Sequence, residues 1–168
     1  MAAVVDPRFE VDEYLALARY LGVRIEQVFE THTHADHVSG HGRLAAATGA
    51  AIYIHRDAKA GYEHAPFGDG DVFELGALRV RALHTPGHRP EHTAFALIVT
   101  RRGDEPWAIL TGDTLFVNDV ARPDLAIEKS DGARGIFRSL RDQLLPLPDQ
   151  VEVWPGPVSY THLTLPTN

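Results

Sequence analysis

Residues 31–37 read THTHADH, and the types and spacing in that stretch suit metal chemistry. His32 and His34 are two apart, so on an extended segment their side chains fall on the same side and can grip one ion. Asp36 and His37 follow after the chain turns, where they can face a second ion or orient the ligands of the first. Imidazoles with a carboxylate suit zinc, iron or manganese. A lone histidine is more often a solvated polar residue, and Asp36 alone reads as a helix cap. Four histidines and an aspartate within residues 32–41 reverse that balance. Two further segments supply what the cluster lacks. His84-Thr85-Pro86-Gly87-His88 places a Pro-Gly turn after a strand pattern and projects His88, and Thr111-Gly112-Asp113-Thr114 projects Asp113 in the same way. Each is a common turn by itself. Together they deliver imidazoles and a carboxylate after three separate strands, as an open metal site requires. His92 is expected either to orient a ligand or to be inert, and His55 and His64 are expected at the surface.

The elements that must position these residues are legible in outline. Ala2 to Val5 reads as a short buried strand ended by Asp6-Pro7, and Val11 to Leu21 as a helix stopped by Gly22. Ile25 to Glu30 alternates as a strand and runs into the histidine cluster. Gly42 to Thr48 is helical, and Ala51 to Ile54 is a compact strand. Gly68 to Asp71 is a tight turn, followed by strands at Leu78 to Leu83, Phe95 to Val99 and Trp107 to Leu110. Gly132 to Leu145 reads as a helix with Ile136, Phe137, Leu140 and Leu144 on one apolar face, and Val151 to Trp154 as a last strand. Mixed strands and helices, with polar clusters in the loops, predict an α/β sandwich with its site at the strand ends.

Composition narrows the function classes. The chain has 168 residues, 44% hydrophobic and 23% charged, a net charge of −7 and no cysteine. That is one domain's worth of chain, too apolar to be disordered. No apolar run approaches the ~18–20 residues of a membrane span, and no signal peptide is evident. Zero cysteine excludes disulfides, thiolate metal sites and a cysteine nucleophile, and fits a reducing, cytoplasmic setting. The acidic balance argues against nucleic-acid binding.

The order HxHxDH, TPGH and GD resembles the metallo-β-lactamase superfamily over nearly the whole chain, from Val4 to Gly156. The resemblance implies an αββα sandwich with a one- or two-metal centre at the sheet edge. Its first metal would take His32, His34 and His88. Its second would take Asp36, His37 and a further histidine, with Asp113 bridging. That further histidine falls at Pro157 here, which cannot ligate, so the second site is incomplete. The string TGDTLFVNDVARPDL, residues 111–125, is similar to the persulfide dioxygenases, including forms fused to rhodanese domains. Asn118 and Ala121 stand at two glycine positions of that pattern, and Arg122 is retained to hold an acidic, glutathione-type substrate. In that branch one Fe(II) is held by the residues matching His32, His88 and Asp113, two imidazoles and a carboxylate that leave three positions open. A thiol persulfide is then oxidised to sulfite and thiol, with His34, Asp36 and His37 orienting the centre.

Two alternatives stand beside this reading. One is a two-zinc hydrolase of glutathione thioesters, like hydroxyacylglutathione hydrolase. The other is a non-catalytic, truncated metal-binding fragment. The domain is expected over residues 1–157, cut short at both ends. Residues 158–168, VSYTHLTLPTN, read as a translated sequencing adapter, a non-native tail. A rhodanese domain in the full-length gene and an oligomeric state are left open.

Overall fold

The computed structural model describes residues 1–123 and 128–156, so the tail and the Pro157 junction lie outside the described residues. In chain order the elements are β1 (Ala2–Val5), α1 (Asp12–Leu21), β2 (Ile25–Phe29), α2 (His41–Thr48), β3 (Ala51–His55), β4 (Ala65–Phe67) and β5 (Val72–Leu75). They continue as β6 (Leu78–His84), β7 (Thr93–Val99), β8 (Ala108–Gly112), β9 (Leu115–Phe116), β10 (Asp119–Val120), α3 (Lys129–Ser139) and β11 (Glu152–Pro155). One sheet has the order β1-β2-β3-β4 with every neighbour parallel. The other has the order β11-β8-β7-β6-β5, antiparallel except where β11 runs parallel to β8.

Three apolar layers make this an αββα sandwich. Val11 and Leu44 pack with Ile25 and Val28, seating α1 and α2 on the outer face of the parallel sheet. Phe29, Phe67, Val80, Ala82 and Phe95 fill the space between the sheets. Leu83, Ala94, Ala96 and Ile109 meet Leu144 on the outer face of the mixed sheet. The Phe29 ring lies 5.0 Å from Tyr53, 4.9 Å from Phe73 and 5.2 Å from Phe95. Such aromatic pairs contribute about 0.5–1.5 kcal/mol each beyond their area. Here they tie strands of both sheets together directly beneath the strand ends that carry the site.

Several expectations change. β1 is half-buried along its whole length because it is the edge of its sheet. β2 does not alternate cleanly: Val28 and Phe29 are both fully buried, since the parallel sheet is covered on both faces. The last helix begins at Lys129, ahead of Gly132, and its final turn, Leu140–Leu144, is π-helical. Phe137 leaves the apolar face and is 61% exposed, with the Arg141 guanidinium 5.6 Å from its ring centre. β4, β5 and the β9–β10 hairpin, two to four residues long, add to the strands expected from the sequence. Among the described residues no helix is long and apolar enough to cross a membrane.

Candidate metal centre

All three motifs leave strand ends on one rim of the sandwich. His32 follows β2 of the parallel sheet, while His88 and Asp113 follow β6 and β8 of the mixed sheet. The Thr93 N–H donates to the Thr31 carbonyl at 2.8 Å, fastening the start of β7 to the loop after β2 across the two sheets. The outcome is a buried group of His32, His88 and Asp113, with one donor atom from each within 4.8 Å of the others. His32 Nε2 is 3.9 Å and His88 Nε2 3.5 Å from Asp113 Oδ2.

Hydrogen bonds aim both rings. Asp6 accepts from the Thr31 N–H at 2.7 Å and from the Thr31 hydroxyl at 2.8 Å. With its proton so committed, Thr31 Oγ1 accepts from His32 Nδ1–H at 2.9 Å, leaving the lone pair of His32 on Nε2 toward Asp113. His88 Nδ1 donates to the Arg122 carbonyl at 3.4 Å, with the same result. A donated ring N–H of this kind is the usual support of a metal-bound histidine. Burial holds His32 far below the ordinary histidine range and lowers His88 as well, while it raises the Asp113 carboxyl. Neutral imidazoles beside a buried carboxylate are the protonation states a cation needs.

His92 is fully buried and holds the aspartate loop. Its Nε2 accepts the Asp113 N–H at 3.0 Å, and its Nδ1 lies 2.9 Å from the hydroxyls of both Thr85 and Thr114. Gly112 makes that approach possible. Its φ is +48°, and a Cβ there would lie 2.8 Å from His92 Nε2 and 2.9 Å from Thr31 Cβ. Gly112→Ala is expected to lower stability by about 2–4 kcal/mol, read as a shifted denaturant midpoint, because it adds backbone strain to a core clash. An unchanged midpoint would show that the loop can move away from His92.

The remaining members of the cluster group differently from the spacing argument. His34 shares its side with Asp36 and His37, one donor atom of each lying within 4.8 Å of the others. Its Nε2 is 3.1 Å from Asp6 Oδ1 and 3.6 Å from Glu30 Oε2, forming a further such group with those two carboxylates. Burial alone would lower His34, but the two carboxylates outweigh it and raise it. His34 lies beside His32, with ring centres 4.2 Å apart, but its nitrogens do not join the His32–His88–Asp113 group.

The fit to a cation can be tested on the polar atoms themselves. His34 Nδ1 and His37 Nε2 are buried without a hydrogen-bond partner, and His34 Nε2 faces Asp6 Oδ1 at 3.1 Å. Asp6, Glu30 and Asp113 are buried carboxylates around the same rings. Unpartnered imidazole nitrogens beside buried acids are costly unless a positive charge joins them. The residues fit a divalent metal.

Sequence reasoning missed Asp6, Thr31, Glu91 and Arg89. Glu91 is buried and accepts from the Thr33 N–H at 3.1 Å, from the Thr33 hydroxyl and from Arg89 Nε at 3.1 Å. Burial works to raise its carboxyl, yet these donors hold it below the ordinary range. The brace thus fixes the chain between His32 and His34. Its partners lie 58 positions apart, so no local pattern announces it. His55, expected at the surface, is buried at the end of β3, where its ring stacks on His84 and meets Phe67 edge-on. His64 is half-buried, its Nδ1 2.6 Å from the Tyr62 carbonyl. Asn118 occupies a left-handed turn at φ +67° between β9 and β10, a conformation asparagine tolerates, and so substitutes for glycine.

Strand-end histidines and an aspartate at the rim of an αββα sandwich define the class. The chain belongs to the metallo-β-lactamase superfamily, which it matches over residues 2–156. It is similar to the hydroxyacylglutathione hydrolase of Polaromonas sp. (strain JS666), with 33% identity over 158 residues covering 92% of this chain and 56% of that protein. The chain therefore spans about half the length of that curated relative. Among solved structures, a metallo-β-lactamase from Staphylococcus aureus superimposes with a TM-score of 0.83 at 31% identity, over 92% of this chain and 47% of that one. ETHE1 from Myxococcus xanthus gives 0.80 at 32% identity, over 92% and 64%.

Proposed function

We propose that this domain is a non-haem iron dioxygenase that oxidises thiol persulfides of the glutathione type. The observation that carries the reading is the grouping of His32, His88 and Asp113 apart from His34. Two imidazoles and one carboxylate with open positions are the donor set of Fe(II) oxygenases. The likeness of residues 111–125 to the persulfide dioxygenases and the 32% identity to ETHE1 support the same branch. Bound Fe(II) supplies redox-active positions at which a sulfur substrate and dioxygen meet.

The chain's own residues prepare that meeting. His32 and His88 present Nε2 because Thr31 and the Arg122 carbonyl take their other ring protons. Asp113 brings the negative charge and is set by His92. Asp6, through Thr31, and Glu91, through Thr33, keep the histidine loop from shifting. Arg122, an exposed residue whose backbone carbonyl holds His88, binds the acidic carrier of the persulfide. Across the reaction the outer sulfur loses four electrons to dioxygen, water supplies the third oxygen of sulfite, and the thiol is released with two protons.

The test pairs metal analysis with oxygen uptake on glutathione persulfide. About one iron per chain and sulfite formed in step with oxygen consumed are expected. About two zinc ions per chain with thioester hydrolysis and no oxygen uptake would overturn the reading. That second reading, a two-metal hydrolase of glutathione thioesters, is favoured by the separate His34–Asp36–His37 group and by the hydrolase relative.

A further inference from the structure

Arg89 follows His88 and belongs to the brace around Glu91, yet the brace uses only one edge of its side chain. The Arg89 carbonyl accepts the N–H groups of Gly87 at 3.2 Å and His92 at 3.3 Å, and Pro90 comes next, so the backbone between β6 and β7 is fixed here. The side chain is fixed as well. Its Nε donates to Glu91 at 3.1 Å and its Nη2 to the Thr33 hydroxyl at 2.7 Å, which ties that edge of the guanidinium to the chain between His32 and His34.

A guanidinium has five N–H donors, and these two bonds are the hydrogen bonds Arg89 side-chain nitrogens make among the described residues. The end edge, Nη1 with the second proton of Nη2, is left as an unused fork. Glu91 is buried on the bonded edge while the Arg89 side chain stays 27% exposed, so the fork has access to solvent. Glu91 already accepts the Thr33 N–H at 3.1 Å and the Thr33 hydroxyl, and what Arg89 adds is a permanent positive charge with spare donors. That charge is felt at the centre. Burial is the main reason that His32 and His88 hold protons weakly, and Arg89 acts on both rings in the same direction, as Arg122 does on His88.

We infer that Arg89 is a second substrate-binding arginine, whose free Nη1–Nη2 edge takes one carboxylate of the substrate's carrier while Arg122 takes another. A glutathione-type carrier has a carboxylate at each end, so two separate cations near the centre suit it. A planar fork matches a carboxylate through two parallel N–H bonds, and a fork already held by Glu91 and Thr33 loses little freedom on binding. The substrate class rests on the function proposed above, but binding by Arg89 needs no turnover.

The test measures binding of S-methylglutathione, an inert thioether, and of its diethyl ester to the metal-loaded full chain by calorimetry. Arg89→Gln is expected to bind the acid about tenfold more weakly than the unaltered protein, the effect of one lost charge-assisted bond, and to bind the diester no differently. Arg89→Lys keeps the charge and should recover part of the loss for the acid, with metal content the same in all three proteins. Equal affinity of Arg89→Gln and the unaltered protein for the acid would overturn the inference. So would an equal loss for acid and diester, the result if Arg89 only braces the loop, or no binding of the acid by the unaltered protein. Failure of the dioxygenase reading looks different: the unaltered protein then takes up no oxygen on glutathione persulfide, while the acid and diester still report on Arg89.

Discussion

Asp113→Ala is expected to bind no iron and to show no oxygen uptake, whereas His37→Ala keeps its iron and loses about 10–100-fold in activity. The asymmetry follows from position. Asp113 is the only anionic donor in the His32–His88–Asp113 group, 3.9 and 3.5 Å from the two imidazole nitrogens. His37 belongs to the separate group with His34 and Asp36 and is in part exposed. Loss of Asp113 removes a ligand and the charge that offsets the cation, while loss of His37 removes an orienting side chain. The metal-free Asp113→Ala chain should still fold. Burial raises this carboxyl above its ordinary value, so its ionised form costs the folded chain stability as pH rises through the carboxylate range, and deletion removes that cost. Metal content by elemental analysis and a melting curve of the apo-proteins give both answers. Complete and equal metal loss in the two variants would mean that one shared centre uses both side chains, and would contradict the mononuclear assignment.

His92→Ala should cost about 3–5 kcal/mol of stability, a third or more of what many domains possess. The ring is fully buried and neutral, since burial drives it well below the ordinary histidine range. Its removal opens a cavity against His32 and strips partners from the Asp113 N–H and from the Thr85 and Thr114 hydroxyls. Metal affinity should also fall, by about 10–100-fold, because the Asp113 backbone loses its anchor. His92→Gln separates the two effects. The amide oxygen can accept the Asp113 N–H and the NH2 can donate toward the threonines, but the amide does not refill the volume of the ring, so affinity should recover more than stability. Should the alanine variant unfold at the same denaturant concentration and bind metal equally well, His92 is a spectator.

What the sequence by itself determined is local. Helices and strands over four residues long follow from apolar periodicity and glycine stops, and the ligands announce themselves because His, Asp and Pro-Gly crowd into three short strings. The site could be named from residues 32–37, 84–88 and 111–114 without knowing how the strands associate. Tertiary structure decided the rest. Which histidine joins Asp113 depends on bringing β2 of one sheet against β6 and β8 of the other, while the neighbouring ends of β1 and β2 set His34 toward Asp6 and Glu30. The Asp6–Thr31–His32 relay, the Glu91 brace and the His92 anchor join positions 21 to 58 apart, beyond any window over which periodicity carries information. His55 shows the same limit: it stands where an apolar strand gives way to Arg56 and Asp57, and only the stack on His84 and the packing on Phe67 bury it. Burial and protonation depend on what the other sheet places opposite a side chain, and only the closed sandwich specifies that.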